Sequence, residues 1–205
     1  MDRLRLGRPE GGGQHSLAVG QDGTLWSWGN NASGELGGRA TPYTPVPTPV
    51  MAGVKAVAAR WAHSLAVKTD GTLWAFGSNG AGQLGNGDST DQPHPVQVME
   101  RVVAVAAGQA HTLVIRDDGT LWTFGANNAG QLGDMTPEGR NRPGQVMQGT
   151  GRVVAVAAGG DHSLVLLGDG TLWTFGANGW GQLGDGSYTS RSEPRKVLDG
   201  VMLPR

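Results

Sequence analysis

The chain is a fourfold copy of one pattern. His15, His63, His111 and His162 each open a stretch of the form H-[ST]-L-[AV]-[VIL]. Seven residues after each comes an aspartate (Asp22, Asp70, Asp118 or Asp169) inside the string D-G-T-L-W. Gly29, Gly77, Gly125 and Gly176 follow, each leading into N-x-x-G-[QE]-L-G. The histidines are spaced by 48, 48 and 51 residues. A unit of that length cannot bury a hydrophobic face alone and must stack on its neighbours, so the period restricts the fold to repeat architectures.

Within each copy the residues read as strands. His63–Lys68 alternates, Asp70-Gly71 marks a tight turn, and Thr72–Gly77 returns. Asp-Gly between two β-prone runs is a strong hairpin signal, because glycine takes positive φ at no steric cost. A proline-containing loop leads to a short strand, Pro95–Val98, and then to Val102–Ala107, which ends at Gly108. No apolar stripe of period 3.6 appears, so helix content should be very low. The pattern predicts an all-β chain of four propeller-type blades, each of four antiparallel strands. The alanine-rich strand (Ala58 and Ala59, Ala106 and Ala107, Ala157 and Ala158) suits the crowded position nearest the axis. We expect an N-terminal arm over 1–10 and one repeat domain over 11–205, with repeats at about 11–59, 60–107, 108–158 and 159–205.

The period also accounts for composition. Glycine is 36 of 205 residues, without the three-residue spacing of collagen. The absence of cysteine excludes a disulfide framework, a thiolate metal site and a cysteine nucleophile. A net charge of −1 argues against nucleic acid as the partner. No run of 18 apolar residues is long enough to span a membrane, and Met1–Glu10 has no apolar signal core, so the expected location is cytoplasmic. Asn31-Ala32-Ser33 forms the one glycosylation sequon.

The ends are irregular. Arg8-Pro9-Glu10-Gly11 stands where the third copy has Ala104–Ala107, so the first copy lacks its alanine-rich strand. At the other end Val197–Val201 leads into the equivalent strand, which Pro204 and Arg205 cut short. We therefore expect an open arc, a partial propeller, or a ring completed by oligomerisation. Closure by pairing Val201–Leu203 with the first blade is the alternative. An open arc exposes two blade faces, which favours self-association.

The recurring strings A-A-G-x-x-H-S-L, D-G-T-L-W-x-F-G and N-x-x-G-Q-L-G, over residues 11 to 200, resemble the regulator-of-chromosome-condensation repeat family. That resemblance implies a β-propeller, usually of seven blades. It also implies two activities: guanine-nucleotide exchange on a small GTPase through a projecting wedge, and inhibition of an enzyme such as a β-lactamase. This chain has four copies and no long insertion.

The residues themselves offer no catalytic constellation. The four histidines come from different blades, too far apart for equivalent nitrogens to share a zinc at about 2 Å. Each is expected instead to bond backbone of its own or the adjoining blade. His63 and Ser64 point to opposite faces of one strand, so no Ser-His-Asp set forms within a repeat. The glycine loops lack the P-loop and dinucleotide-binding spacings, and no cofactor is expected. Positions that vary between copies are the better functional candidates, because the fold does not dictate them. They are Arg60 and Trp61 ahead of His63, Trp180 in the fourth N-x-x-G turn, and Tyr43, Arg140, Arg142, Tyr188 and Arg191 in or after the long loops. Aromatic side chains and arginine on loops suit protein recognition, so the chain reads as a non-catalytic interaction scaffold for an unidentified protein partner.

Overall fold

The computed structural model describes residues 6–38 and 41–202, and among these it contains sixteen strands and no helix. The first sheet comprises β1 (Leu6–Gly11), β2 (His15–Gly20), β3 (Leu25–Asn30) and β4 (Tyr43–Met51). The second comprises β5 (Val54–Arg60), β6 (His63–Lys68), β7 (Leu73–Gly77) and β8 (Gln92–Met99). The third comprises β9 (Val102–Ala107), β10 (His111–Arg116), β11 (Leu121–Gly125) and β12 (Arg140–Val146). The fourth comprises β13 (Val153–Ala158), β14 (His162–Leu167), β15 (Leu172–Gly176) and β16 (Arg191–Leu198). All pairings are antiparallel and follow chain order across each sheet.

Each D-G-T-L-W string builds its hairpin in the same way. Gly71 takes φ +85°, and the Asp70 carboxylate accepts from the Thr72 amide at 2.9 Å and the Thr72 hydroxyl at 2.7 Å. The Trp74 indole then donates to Thr72 Oγ1 at 2.9 Å. The third and fourth copies repeat these bonds through Asp118, Thr120 and Trp122, and through Asp169, Thr171 and Trp173. Trp74, Trp122 and Trp173 are therefore half-buried, with their indole nitrogens tied to the turn.

Neighbouring sheets pack through their innermost strands, β1 on β5, β5 on β9 and β9 on β13, and the four blades form an arc that does not close. The buried hydrophobic side chains fall into three clusters, one at each seam between blades. Ala58, Ala59 and Ala107 are buried there, where a larger side chain would force the sheets apart.

Both ends differ from expectation. The expected arm over 1–10 contributes a strand, since Leu6–Gly11 pairs with β2, with Pro9 opposite Ala18. Proline is tolerated because β1 is an edge strand and owes no hydrogen bond on its far side. Each sheet therefore starts with its innermost strand, one strand out of phase with the histidine-centred repeat. At the C-terminus the Val201 amide donates to the Gly170 carbonyl at 2.9 Å, as Val54, Val102 and Val153 do to Gly23, Gly71 and Gly119. Val201 thus holds, by its hydrogen bond, the position at which β5, β9 and β13 begin. Leu203, the last residue of the closing segment Val201–Leu203, and Pro204 and Arg205, expected to cut that strand short, lie outside the described residues.

Candidate interaction face

Antiparallel order puts two sets of connections on the same rim of the arc. One set is the short turn ahead of each histidine (12–14, 60–62, 108–110, 159–161), and the other is the long loop after each third strand (31–42, 78–91, 126–139, 177–190). The Asp-Gly hairpins lie on the opposite rim. All eight candidates, Tyr43, Arg60, Trp61, Arg140, Arg142, Trp180, Tyr188 and Arg191, stand on the first rim, called here the upper one.

A buried asparagine holds each long loop rigid. Asn127 Oδ1 accepts from the Leu132 amide at 2.9 Å, while its Nδ2 reaches Asp134 Oδ1 and the carbonyls of Thr136 and Glu138. Asn79 and Asn178 do the same in their loops. Asn31, the sequon asparagine, is 7% exposed and donates through Nδ2 to the Thr41 carbonyl, so its amide serves the loop rather than a glycan.

This frame absorbs two of the candidate arginines, while a third, Arg142, stays exposed. Arg140 pairs with Asp134 at 2.8 Å, Arg191 pairs with Asp185, and Arg142 lies over Gly87 of the preceding blade. The Ser187 hydroxyl and Arg191 hold the Asp185 carboxyl far below the usual carboxylate range. The aromatic candidates stay free of the frame, with Trp180 93% exposed, Tyr188 77%, Tyr43 69% and Trp61 62%. Tyr188 lies beside Gly181, next to Trp180, so the fourth blade presents two aromatic rings together.

Trp61 is held in an unusual backbone state. Gly12, Gly108 and Gly159 lie flat on the histidine rings of their own blades, where a Cβ would collide with the imidazole. Arg60 takes that place in the second blade, the β5–β6 pairing runs on to Arg60 opposite His63, and Trp61 turns the corner at φ +51°. Its carbonyl accepts from the Gly13 amide at 2.9 Å, and a hollow of about 240 Å3 opens between Gly13, Gln14, Asn30, Trp61 and Ala62.

The histidines make a contact that reading along one strand could not reach. His15 Nε2 lies 2.8 Å from Ser64 Oγ of the next blade, and Ser64 donates its own proton to the Glu35 carbonyl at 2.8 Å. His111, Ser163 and Gln131 repeat the arrangement, and His63 reaches Thr112 at a longer 3.4 Å. With the hydroxyl proton committed to a carbonyl, the imidazole Nε2–H must be the donor. Histidine and serine do meet, then, but across a seam rather than within a repeat. The expected backbone bond is replaced by a hydroxyl relay that ends on backbone. Ser64 is fully buried, and its proton is not available to a substrate. Burial, joined by neighbouring positive charge, holds His63 at about 4 and His111 at about 3. Among the described residues no cluster of three or more His, Asp or Glu side chains could hold a metal ion.

Four antiparallel blades around an axis, with an open seam at each end, define a partial β-propeller. The family model of the RCC1-like domain matches residues 8–203, and the chain belongs to that family. A segment of 48 residues is 42% identical to the human probable E3 ubiquitin-protein ligase HERC4, covering 23% of this chain and 4% of the ligase. Yeast RCC1 (Prp20), solved bound to Kap60, superposes with a TM-score of 0.87 at 22% identity, over 97% of this chain and 50% of that one. Human WBSCR16 gives 0.86 at 25% identity, over 97% and 54%. The chain thus spans about half the length of these solved relatives.

Proposed function

We propose that the chain is a non-catalytic protein-interaction scaffold that recognises its partner with the upper rim. The observation that carries this reading is the exposure of Trp61, Trp180, Tyr188, Tyr43 and Met135 on a rim where Arg140 and Arg191 are tied into ion pairs. Exposed tryptophan and tyrosine on a rigid frame are the residue types that concentrate binding energy at protein interfaces. Arg60 adds a positive charge beside Trp61. Protein partners also suit the fold relatives, since Prp20p was solved with Kap60 and studied for binding to Gsp1p and histones.

The test is affinity capture with the immobilised chain, comparing wild type with the triple variant W61A/W180A/Y188A by quantitative mass spectrometry. Partners of the upper rim should fall at least tenfold in the variant, and an unchanged set of bound proteins would sink the reading. Guanine-nucleotide exchange, the other reading the family resemblance offers, is weighed down by the sequence, whose four copies carry no long insertion from which a wedge could be built. Nucleotide-release kinetics with a candidate GTPase tests it separately, and a β-lactamase assay tests the inhibitor reading.

A further inference from the structure

The repeat is broken at four positions that meet in one place. The hollow of about 240 Å3 on the upper rim is lined by Gly13, Gln14 and Asn30 of the first blade and by Trp61 and Ala62 of the second, at a seam complete within the chain. Gln14 stands where the other copies have Ala62, Ala110 and Asp161, and Asn30 where they have Ser78, Ala126 and Ala177. Trp61 stands where they have Gly13, Gln109 and Gly160. Bonded to Asn30 is the fourth departure, Glu35, in the place of Gln83, Gln131 and Gln182.

Glu35 reverses the local hydrogen-bond chemistry. Gln83 and Gln131 accept from the Ala81 and Ala129 amides through Oε1, and each uses Nε2 as a donor, to Ser78 Oγ and to Asp161 Oδ1. Glu35 keeps the first bond, from the Ser33 amide at 2.8 Å, but has no proton to give. Asn30 instead donates its Nδ2 to Glu35 Oε1 at 2.6 Å, so the group it has left for a ligand is an acceptor oxygen. The Glu35 side chain is 1% exposed, and among the described residues no lysine or arginine forms an ion pair with it. A buried charge without a counter-ion is costly, and the loop does not require one, since glutamine serves the other three copies. Arg60 does not neutralise it. Burial lowers His15, His111 and His162 alike, but the Arg60 charge adds to this only at His111 and His162, while at His15 the Glu35 carboxylate opposes it.

An indole 62% exposed, amide oxygens at the wall and an unneutralised negative charge one residue behind them select a cation. The hollow is smaller than the roughly 300–1,000 Å3 of small-molecule sites, so it fits a single side chain. Of the two cationic side chains, arginine suits it better. A guanidinium is planar and weakly hydrated, stacks on an aromatic face and donates to several oxygens at once, whereas an ammonium is compact and strongly hydrated. We propose that this hollow receives one arginine side chain of the protein partner, stacked on Trp61 and donating to the side-chain oxygens of Gln14 and Asn30, with Glu35 supplying the balancing charge. The proposal rests on the upper rim being the partner face.

NMR titration of the 205-residue chain with Nα-acetyl-arginine methylamide tests this, with the citrulline analogue as a neutral probe of the same shape. The Trp61 indole resonance and the side-chain amides of Gln14 and Asn30 should shift saturably with the arginine probe, half-saturating at about 1–10 mM, and should not shift with citrulline. N30S/E35Q rebuilds the Ser78 and Gln83 pair of the second blade, so the loop keeps its fold, and it should weaken arginine binding at least fivefold. W61L should abolish the shifts of the two amides. Citrulline matching arginine, N30S/E35Q binding like wild type, or the lysine analogue binding as tightly as arginine would each overturn the proposal. Partner capture separates it from the reading of the rim. Loss of capture in W61A/W180A/Y188A without binding of the arginine probe overturns this proposal alone. Binding of the probe with capture unchanged supports the arginine site and overturns the rim as the partner face.

Discussion

The three internal seams and the two end faces carry nearly the same residues, yet their physical states differ. Phe76, Phe124 and Phe175 have no exposed surface, while Trp28 in the same register position is partly open. His15, His63 and His111 are buried against a neighbouring blade, while His162 is partly exposed. Blade sequences this alike cannot encode the difference themselves. The recurring motif therefore specifies a seam rather than a blade, and each copy gains its buried core only when the next is in place, as expected of quasi-one-dimensional repeat proteins.

Truncating the aromatic plug gives the largest expected contrast. Phe124 sits among Leu65, Leu73, Leu84 and Val114, drawn from two blades. F124A should cost about 3–5 kcal/mol, the usual range for emptying a buried aromatic site. W28A, at the partly exposed equivalent position, should cost less than half as much. Chemical denaturation of both variants decides this, and equal losses would erase the distinction between seam and end.

Acid attacks the same difference. In the folded chain His63 titrates at about 4 and His111 at about 3, against 6.5 in an unfolded chain. Below pH 6.5 the unfolded state therefore binds more protons, and stability falls as pH drops through the window from 6.5 towards these values. At about 1.4 kcal/mol per unit, His63 alone accounts for roughly 3 kcal/mol by pH 4. The hairpin aspartates, held low by their threonine partners, add their loss only below 3.8. H111Q should flatten the pH dependence between 6.5 and 4 measurably more than H162Q, whose ring is partly exposed. Indistinguishable profiles from urea titrations at stepped pH would count against burial as the cause.

The features legible in the sequence are those written locally. Asp-Gly sets the hairpin, alternation sets the strands, and alanine marks the strand that must lie close to its neighbours. The seam chemistry joins residues about 50 positions apart, so the adjacency of His63 and Ser64 hides the pairing of His15 with Ser64. Strand β1 escaped because Arg8-Pro9-Glu10-Gly11 has no apolar alternation. The structural roles of Arg140 and Arg191 left a readable trace. An aspartate precedes each by six residues, Asp134 and Asp185, and both pairs close their loops. Trp61, Trp180, Tyr43 and Tyr188 carry no such partner in the pattern, and they remain exposed, as does Met135, which the sequence reading missed.

Removing one hydroxyl at a seam and at an end makes a smaller contrast. S64A leaves His15 Nε2 and the Glu35 carbonyl without their shared partner in a buried site, at a cost of about 1–3 kcal/mol. S16A, at the partly exposed equivalent position, should shift stability by less than about 0.5 kcal/mol, as surface changes do. Comparable losses from the two would mean that Ser16 is already engaged within the chain.

The smallest expected effect has the opposite sign. Trp61 holds a left-handed backbone conformation that costs a non-glycine residue about 1–2 kcal/mol, while its side chain stays 62% exposed. Two of the other three blades use glycine at this position, Gly13 and Gly160. W61G should relieve the strain, offset in part by glycine's greater freedom in the unfolded chain, for a net gain of up to about 1 kcal/mol. For a domain of this size that raises the melting temperature by roughly 2–4 °C. The same substitution should weaken partner capture, because strain retained under an exposed aromatic side chain is the signature of a residue kept for contact rather than for folding. A variant that melts lower than wild type and binds as well would show that Trp61 stabilises its turn instead.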